Sequence, residues 1–190
     1  MNLPLVDTKS FKNEDYTKHI LTKAEYTECT FTNCNFENSD ISNITFLECE
    51  FIECNFSNVN IMHTTFNEVE FINCKLVGVL FQNCNDFLLA FNFKNCTMNL
   101  SSFYQLKING TTFLNCKMHS VDFTETEAKN VSFSKCDLKD AIFEHTQLHS
   151  SDFSSAYNFS IHPSQNTIKK AFFSKENILG LLNTFNIKIK

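Results

Sequence analysis

The chain of 190 residues carries 21 acidic residues against 16 basic ones, all of the latter lysine, for a net charge of −5. Arginine supplies most bidentate contacts to bases and phosphates, so its absence argues against direct binding of nucleic acid. There is no run of 18 apolar residues, and the opening MNLPLVDTKS lacks a basic, apolar leader, so the expectation is a soluble cytoplasmic chain with no membrane contact.

Residues 1–10 read as an N-terminal extension, and a ladder of interior residues runs from 11 to 157. Phenylalanine stands at Phe31, Phe36, Phe46, Phe51, Phe56, Phe66, Phe71 and Phe81, then at Phe93, Phe103, Phe113, Phe123, Phe133, Phe143 and Phe153. A helical period would scatter these rings around a cylinder, and a strand period would send alternate ones to opposite faces. A coil that returns every fifth side chain to its interior accounts for the spacing, which makes the chain a solenoid. The exceptions set the length of one turn. Ile41 and Ile61 interrupt the Phe series twenty residues apart, and Met98, Met118 and Leu138 do the same later. Four pentapeptides therefore make one four-sided coil, with parallel strand-like pairing at ~4.8 Å between coils. The predicted class is an all-β solenoid, a right-handed quadrilateral parallel β-helix.

Within the first block, residues 1–95 hold 6 Lys and 13 acidic residues, whereas residues 96–190 hold 10 and 8. Outward residues twenty apart lie above one another, so Glu28, Glu48 and Glu68 form one vertical stack and Glu50 and Glu70 another beside it, with Glu25, Glu37 and Glu53 on the same half. Like charges facing each other across a ladder are destabilising. The second block alternates sign instead, with Lys117 over Asp137 and Lys107 over Glu127. Tolerance of the clash in one block points to use as a partner surface; carboxylates splayed into water are the alternative.

The nine cysteines, at 29, 34, 49, 54, 74, 84, 96, 116 and 136, each precede an interior position by two residues. A small, weakly polar side chain suits that slot beside a bulky ring, and these are read as buried thiols rather than zinc ligands or disulfides. The six histidines share no column, and with three glycines there is no phosphate-cradling loop and neither G-x-S-x-G nor H-E-x-x-H. No catalytic, metal or cofactor residue is expected, and the chain is not read as an enzyme.

Between Phe81 and Phe93 the five-residue spacing slips by two, over residues 82–92, and Asp86 falls where a core residue is due. The run Phe87, Leu88, Leu89, Ala90, Phe91 predicts a buried bulge or kink joining two rods whose columns are rotated against each other. Residues 158–190 form the predicted cap. Ser174 is placed as an N-cap, and Ile178, Leu181, Leu182 and Phe185 fall at i, i+3, i+4 and i+7 of a short amphipathic α-helix, after which Ile187 and Ile189 alternate with lysine as an edge strand would. That apolar face either closes the open end of the solenoid or seats a second copy in a two-fold dimer.

The runs CNF at 34–36 and 54–56, SDI at 39–41, VDF at 121–123, CDL at 136–138 and SDF at 151–153 resemble the pentapeptide repeat family over about residues 11–157. The resemblance implies the quadrilateral β-helix. The slipped register, the S-D-F…Y-N ending and the C-terminal helix are similar to the Qnr-type quinolone-resistance proteins. That likeness implies a DNA mimic acting on bacterial DNA gyrase or topoisomerase IV, with a homodimer formed through the C-terminal helix. The other reading is a general interaction scaffold or structural protein with no topoisomerase link.

Overall fold

The computed structural model describes residues 3–185 and 187–188. Eleven short strands carry the regular pairing: β1 (Leu5–Asp7), β2 (Ser10–Lys12), β3 (Glu25–Thr27), β4 (Thr30–Thr32), β5 (Thr45–Leu47), β6 (Glu50–Ile52), β7 (Thr65–Asn67), β8 (Val69–Ile72), β9 (Phe91–Lys94), β10 (Thr112–Leu114) and β11 (Ser132–Ser134). All pairs are parallel, in a four-stranded sheet β1-β3-β5-β7 and a seven-stranded sheet β2-β4-β6-β8-β9-β10-β11. Single parallel bridges build the other two sides, along Asp15, Asn35, Asn55, Lys75, Thr97, Lys117, Asp137 and Tyr157 on one and along Leu80, Ser102, Asp122 and Ile142 on the other. The result is the right-handed quadrilateral β-helix expected from the five-residue spacing.

Each side is short because a residue in the left-handed region ends it. Non-glycine residues hold φ of +50° to +61° at Asn13, Asn33, Asn38, Asn58, Asn73, Asn95, Asn115 and many equivalent corners, Glu28, Glu48 and Glu68 among them. Asparagine tolerates this region best after glycine, which explains its frequency there. The strained corners are offset by hydrogen bonds between coils: the Glu28 N–H donates to the Leu47 carbonyl and the Glu48 N–H to that of Asn67, both at 2.9 Å.

The interior is one column of aromatic rings beside three mixed ones. Phe11, Phe31, Phe51, Phe71, Phe93, Phe113, Phe133, Phe153 and Phe173 stack face to face at 4.6–5.3 Å from end to end. Neighbouring sides meet this column edge-on, as Phe46 does Phe51 at 5.1 Å and 79°. Offset stacks and edge contacts are the two arrangements the ring quadrupole favours.

All nine cysteines are free and buried. All but Cys84 donate their thiols to carbonyls of the preceding coil, Cys74 to Phe51 at 3.2 Å and Cys96 to Phe71 at 3.3 Å. Thr64, Thr126 and Thr146 place hydroxyls in the same slot and donate to Ile41, Phe103 and Phe123, each at 2.8 Å. The slot takes a small side chain, and where that side chain has a proton it gives it to the coil before, whereas Ala24, Val69, Val121 and Val131 fill the slot with apolar groups. Burial pushes the Cys49 and Cys84 thiols up to about 12, so both stay protonated.

Several boundaries differ from those predicted. The solenoid starts inside the supposed N-terminal extension, because β1 pairs with β3 from Leu5 onward. It also continues beyond Tyr157: the chain leaves the ladder, then returns with Gln147 bridging Thr167 and Asp152 bridging Phe172. Asn166 replaces the threonine of the slot, its Oδ1 accepting from the Thr146 N–H at 2.9 Å and its Nδ2 donating to the Phe143 carbonyl at 2.8 Å.

The slip near the middle neither rotates the columns nor divides the rod. Thr65 still bridges Asn85, twenty residues on, whereas Phe71 pairs with Phe93, twenty-two residues on. The two extra residues are absorbed between 85 and 91 on one side of one coil, and every later column stays in line. Nor is the segment a buried bulge. Phe91 is buried, but Phe87 is 70% exposed and Leu88 62% exposed, because a side lengthened by two residues can keep its ends in register only by bowing outward.

Candidate partner-binding face

The predicted acidic columns form as expected from register. Glu28, Glu48 and Glu68 occupy successive rungs of the corner between the two sheets, and Glu50 faces Glu70 across β6 and β8. Glu28, Glu48, Glu50 and Glu68 are exposed and Glu70 is half-buried. Among the described residues none of the five makes an ion pair; Glu70 Oε1 accepts from Asn92 Nδ2 at 2.8 Å, which ends that column in a neutral amide. Residues 24–90 hold ten carboxylates against a single lysine, Lys75.

The second block pairs two of its carboxylates locally. Glu127 accepts from Lys129 Nζ at 3.1 Å and Asn109 Nδ2 at 2.7 Å, not from Lys107, which shares its register. Those partners hold the Glu127 carboxyl below the usual carboxylate range. Asp137 likewise ignores Lys117 beneath it and binds His119 Nε2 and Asn158 Nδ2, both at 2.7 Å. Burial alone would raise Asp137, but these bonds outweigh it and the net shift is downward. Sequence spacing misses the His119–Asp137 pair because a twenty-residue register aligns vertical neighbours, whereas these two lie eighteen residues apart on the diagonal.

The corner column of Glu28, Glu48 and Glu68 runs straight into the inserted loop. Ala90 takes the next rung, since Val69 pairs with Phe91, and Gly110 takes the one after. Asn85 braces the loop: its Oδ1 accepts from the Phe87 N–H at 3.1 Å and its Nδ2 donates to Thr65 Oγ1 at 3.0 Å. Gly110, at φ +78° with open space where a side chain would stand, leaves a shallow cleft of about 110 Å³ bounded by Leu89, Ala90, Phe91 and Asn109.

The cap differs from the predicted α-helix. Ser174 caps the turn at 175–177 and not the helical segment, exchanging bonds with Asn177: the Asn177 N–H donates to Ser174 Oγ at 3.2 Å and the Ser174 N–H to Asn177 Oδ1 at 2.9 Å, while Asn177 itself stands at the N-cap of the winding that follows, without a side-chain cap bond to it. Beyond Asn177 the chain winds as a pair of 3₁₀ turns, Ile178–Leu181 and Asn183–Phe185, closed by three-residue bonds such as Leu182 N–H to Leu179 carbonyl at 2.9 Å. Tertiary contacts select the tighter winding. Asn177 Nδ2 is drawn to the carbonyls of Phe153 at 2.6 Å and Ala156 at 3.0 Å, and Gly180 lies flat on the ring of Phe159. With that winding the four apolar residues do not share a buried face. Leu181 packs on the core and Leu182 is half-buried, while Ile178 and Phe185 stay exposed. Ile187 lies in no strand, and Ile189 lies outside the described residues.

No helix among the described residues is long and apolar enough to cross a membrane, and they contain no group of three or more His, Cys, Asp or Glu side chains suited to a metal ion. Comparison with curated proteins finds no match. Among solved structures the fold is similar to two trypsin-treated variants of QnrB1, described as a plasmid-mediated fluoroquinolone resistance protein. One has TM-score 0.73 at 11% identity, over 98% of this chain and 91% of that one. The other has 0.66 at 12%, over 98% and 100%. Full-length QnrB1 has 0.51 at 13% identity, over 96% of this chain and 100% of that one. The family model of the pentapeptide repeat region matches residues 24–85 and 75–153. With that match spanning most of the chain on an unbroken four-sided coil, the protein belongs to the pentapeptide repeat family.

Proposed function

We propose that this protein is a non-catalytic binding protein of the cytoplasm that presents its acidic belt to a basic protein groove. The target is bacterial DNA gyrase or topoisomerase IV, and the consequence of binding is protection from quinolones. The observation that carries the proposal is the charge density of residues 24–90. They span a little over three coils, roughly 16 Å of axis at ~4.8 Å per coil, so their net charge comes to about one per 2 Å, against ~1.7 Å for duplex DNA. A groove built for a duplex would meet a comparable line of negative charge. The likeness in fold to a fluoroquinolone resistance protein supports the same reading. The filled interior supports a role carried by surfaces, since it leaves no room for a reaction centre.

The test is a gyrase supercoiling assay with and without ciprofloxacin. The expected result is inhibition or protection at micromolar protein; neither effect, with no binding, leaves an interaction scaffold without a topoisomerase link. A homodimer through the cap belongs to the same proposal, because Ile178, Leu179 and Phe185 are left exposed at that end. Light scattering on wild type and on I178S/F185S measures it, and equal monomeric masses would remove it.

A further inference from the structure

Phe87 and Leu88 form an adjacent exposed apolar pair at the end of the acidic column. The phenylalanines of the regular spacing point inward, whereas Phe87, which falls off that spacing, is 70% exposed, and Leu88, at 62%, sits at φ +57° in a corner conformation that Leu100 shares but that polar residues and glycine otherwise fill among the described residues. The fold does not require them, for the registers on both sides of the loop are regular and a twenty-residue coil would close without the insertion. They stand on the rung above Glu68, at the end of the unpaired carboxylate column and below the cleft at Gly110.

We propose that loop 86–90 is the anchor of the acidic face: Phe87 and Leu88 enter an apolar pocket at the margin of the partner's basic groove while Glu28, Glu48 and Glu68 lie along it. This rests on the reading that the acidic face binds a protein. The division of labour follows from physical chemistry. Exposed carboxylates attract any basic surface over a Debye length and are weakened by salt, so they speed encounter without choosing a partner. A desolvated aromatic is the usual centre of binding energy, and its pocket is what a merely basic protein lacks. The occupant is thus a folded protein with a basic groove and an adjoining apolar pocket; a nucleic acid or an extended basic peptide offers only the first.

Three proteins separate the parts: wild type, F87S/L88N and E28Q/E48Q/E68Q. Thermal melting comes first, and F87S/L88N should melt at or above wild type, since asparagine suits the left-handed position. A drop of several degrees would show that the two side chains belong to the fold and would overturn the anchor. Binding to purified gyrase is then measured across a salt series. F87S/L88N should weaken binding at least about tenfold with the salt slope unchanged, and E28Q/E48Q/E68Q should flatten the slope. Binding of F87S/L88N equal to wild type overturns the anchor while leaving the proposed target standing. If wild type does not bind gyrase, the target falls and the anchor is judged by photo-crosslinking in the producing cell, with p-benzoylphenylalanine at position 87 and, as a control, at 134. An adduct at 87 alone, identified as one basic protein and lost in E28Q/E48Q/E68Q, supports the anchor; no adduct at 87, or equal adducts at both positions, overturns it.

Discussion

The two halves of the rod share one core and differ in how they treat charge. Across the slip the ring column passes from Phe71 to Phe93 at 5.1 Å, indistinguishable from its spacing elsewhere. On the surface the first half leaves Glu28, Glu48 and Glu68 without cations, while the second ties Glu127 to Lys129 and Asp137 to His119. A single packing rule thus supports two surface designs, because outward residues contribute little to cohesion and are free to vary. The half with the excess of carboxylates, 13 against 6 lysines, is the one whose acidic column ends at the projecting loop.

If the core is continuous, deleting a ring should cost the same on either side of the slip. F51A and F113A each remove a fully buried ring stacked on both faces, and each should lose ~3–5 kcal/mol in urea denaturation with a single transition. Two transitions, or costs differing by more than about 2 kcal/mol, would restore the picture of two rods. A smaller and more local effect is expected at the cap. A Cβ at Gly180 would collide with the ring of Phe159 and approach its carbonyl oxygen to 2.7 Å, so G180A should cost ~1–3 kcal/mol and speed hydrogen exchange around Ile161, whose N–H donates to the Gly180 carbonyl.

The charge contrast is open to titration. Asp137 lies below its ordinary 3.8 in the folded protein, so its bonds to His119 and Asn158 contribute above pH ~4 and are lost as pH falls through the depressed value. Asp15, held down to about 2 by Lys18 and Thr17, behaves the same way in the first coil, between 3.8 and about 2. D137N and D15N should each flatten the acid limb of the stability curve, and an unchanged limb would count against the contact concerned. The smallest effect is expected from E28Q/E48Q/E68Q, which relieves like charges across exposed rungs. A gain of a few tenths of a kcal/mol at low salt should vanish by about 1 M, where the Debye length is ~3 Å.

Much of the fold and of the acidic face is legible in the spacing of residues alone. The Phe series and its Ile and Met exceptions yield the coil length, the interior and the cysteine slot, because a side chain that must return inward every fifth residue leaves a composition signal at every rung. The acidic columns follow from the same register. The second-block pairs do not, since Asp137 reaches diagonally to His119 and passes over Lys117, and side-chain reach is not written in spacing. The loop departs from expectation for a related reason. Apolarity at Phe87 and Leu88 suggests burial, but the two extra residues have nowhere to go inside a coil already filled by Phe91 and Phe81.

The sequence by itself determined the four-sided coil, its parallel register and the stacking of like on like, because repetition turns a local preference into a long-range alignment. Only the tertiary structure decided where the rod begins and ends, that its columns run unbroken past the slip, and that the cap winds as 3₁₀. Those outcomes depend on particular contacts made once: Leu5 beside Glu25, Phe71 beneath Phe93, and Gly180 flat against Phe159.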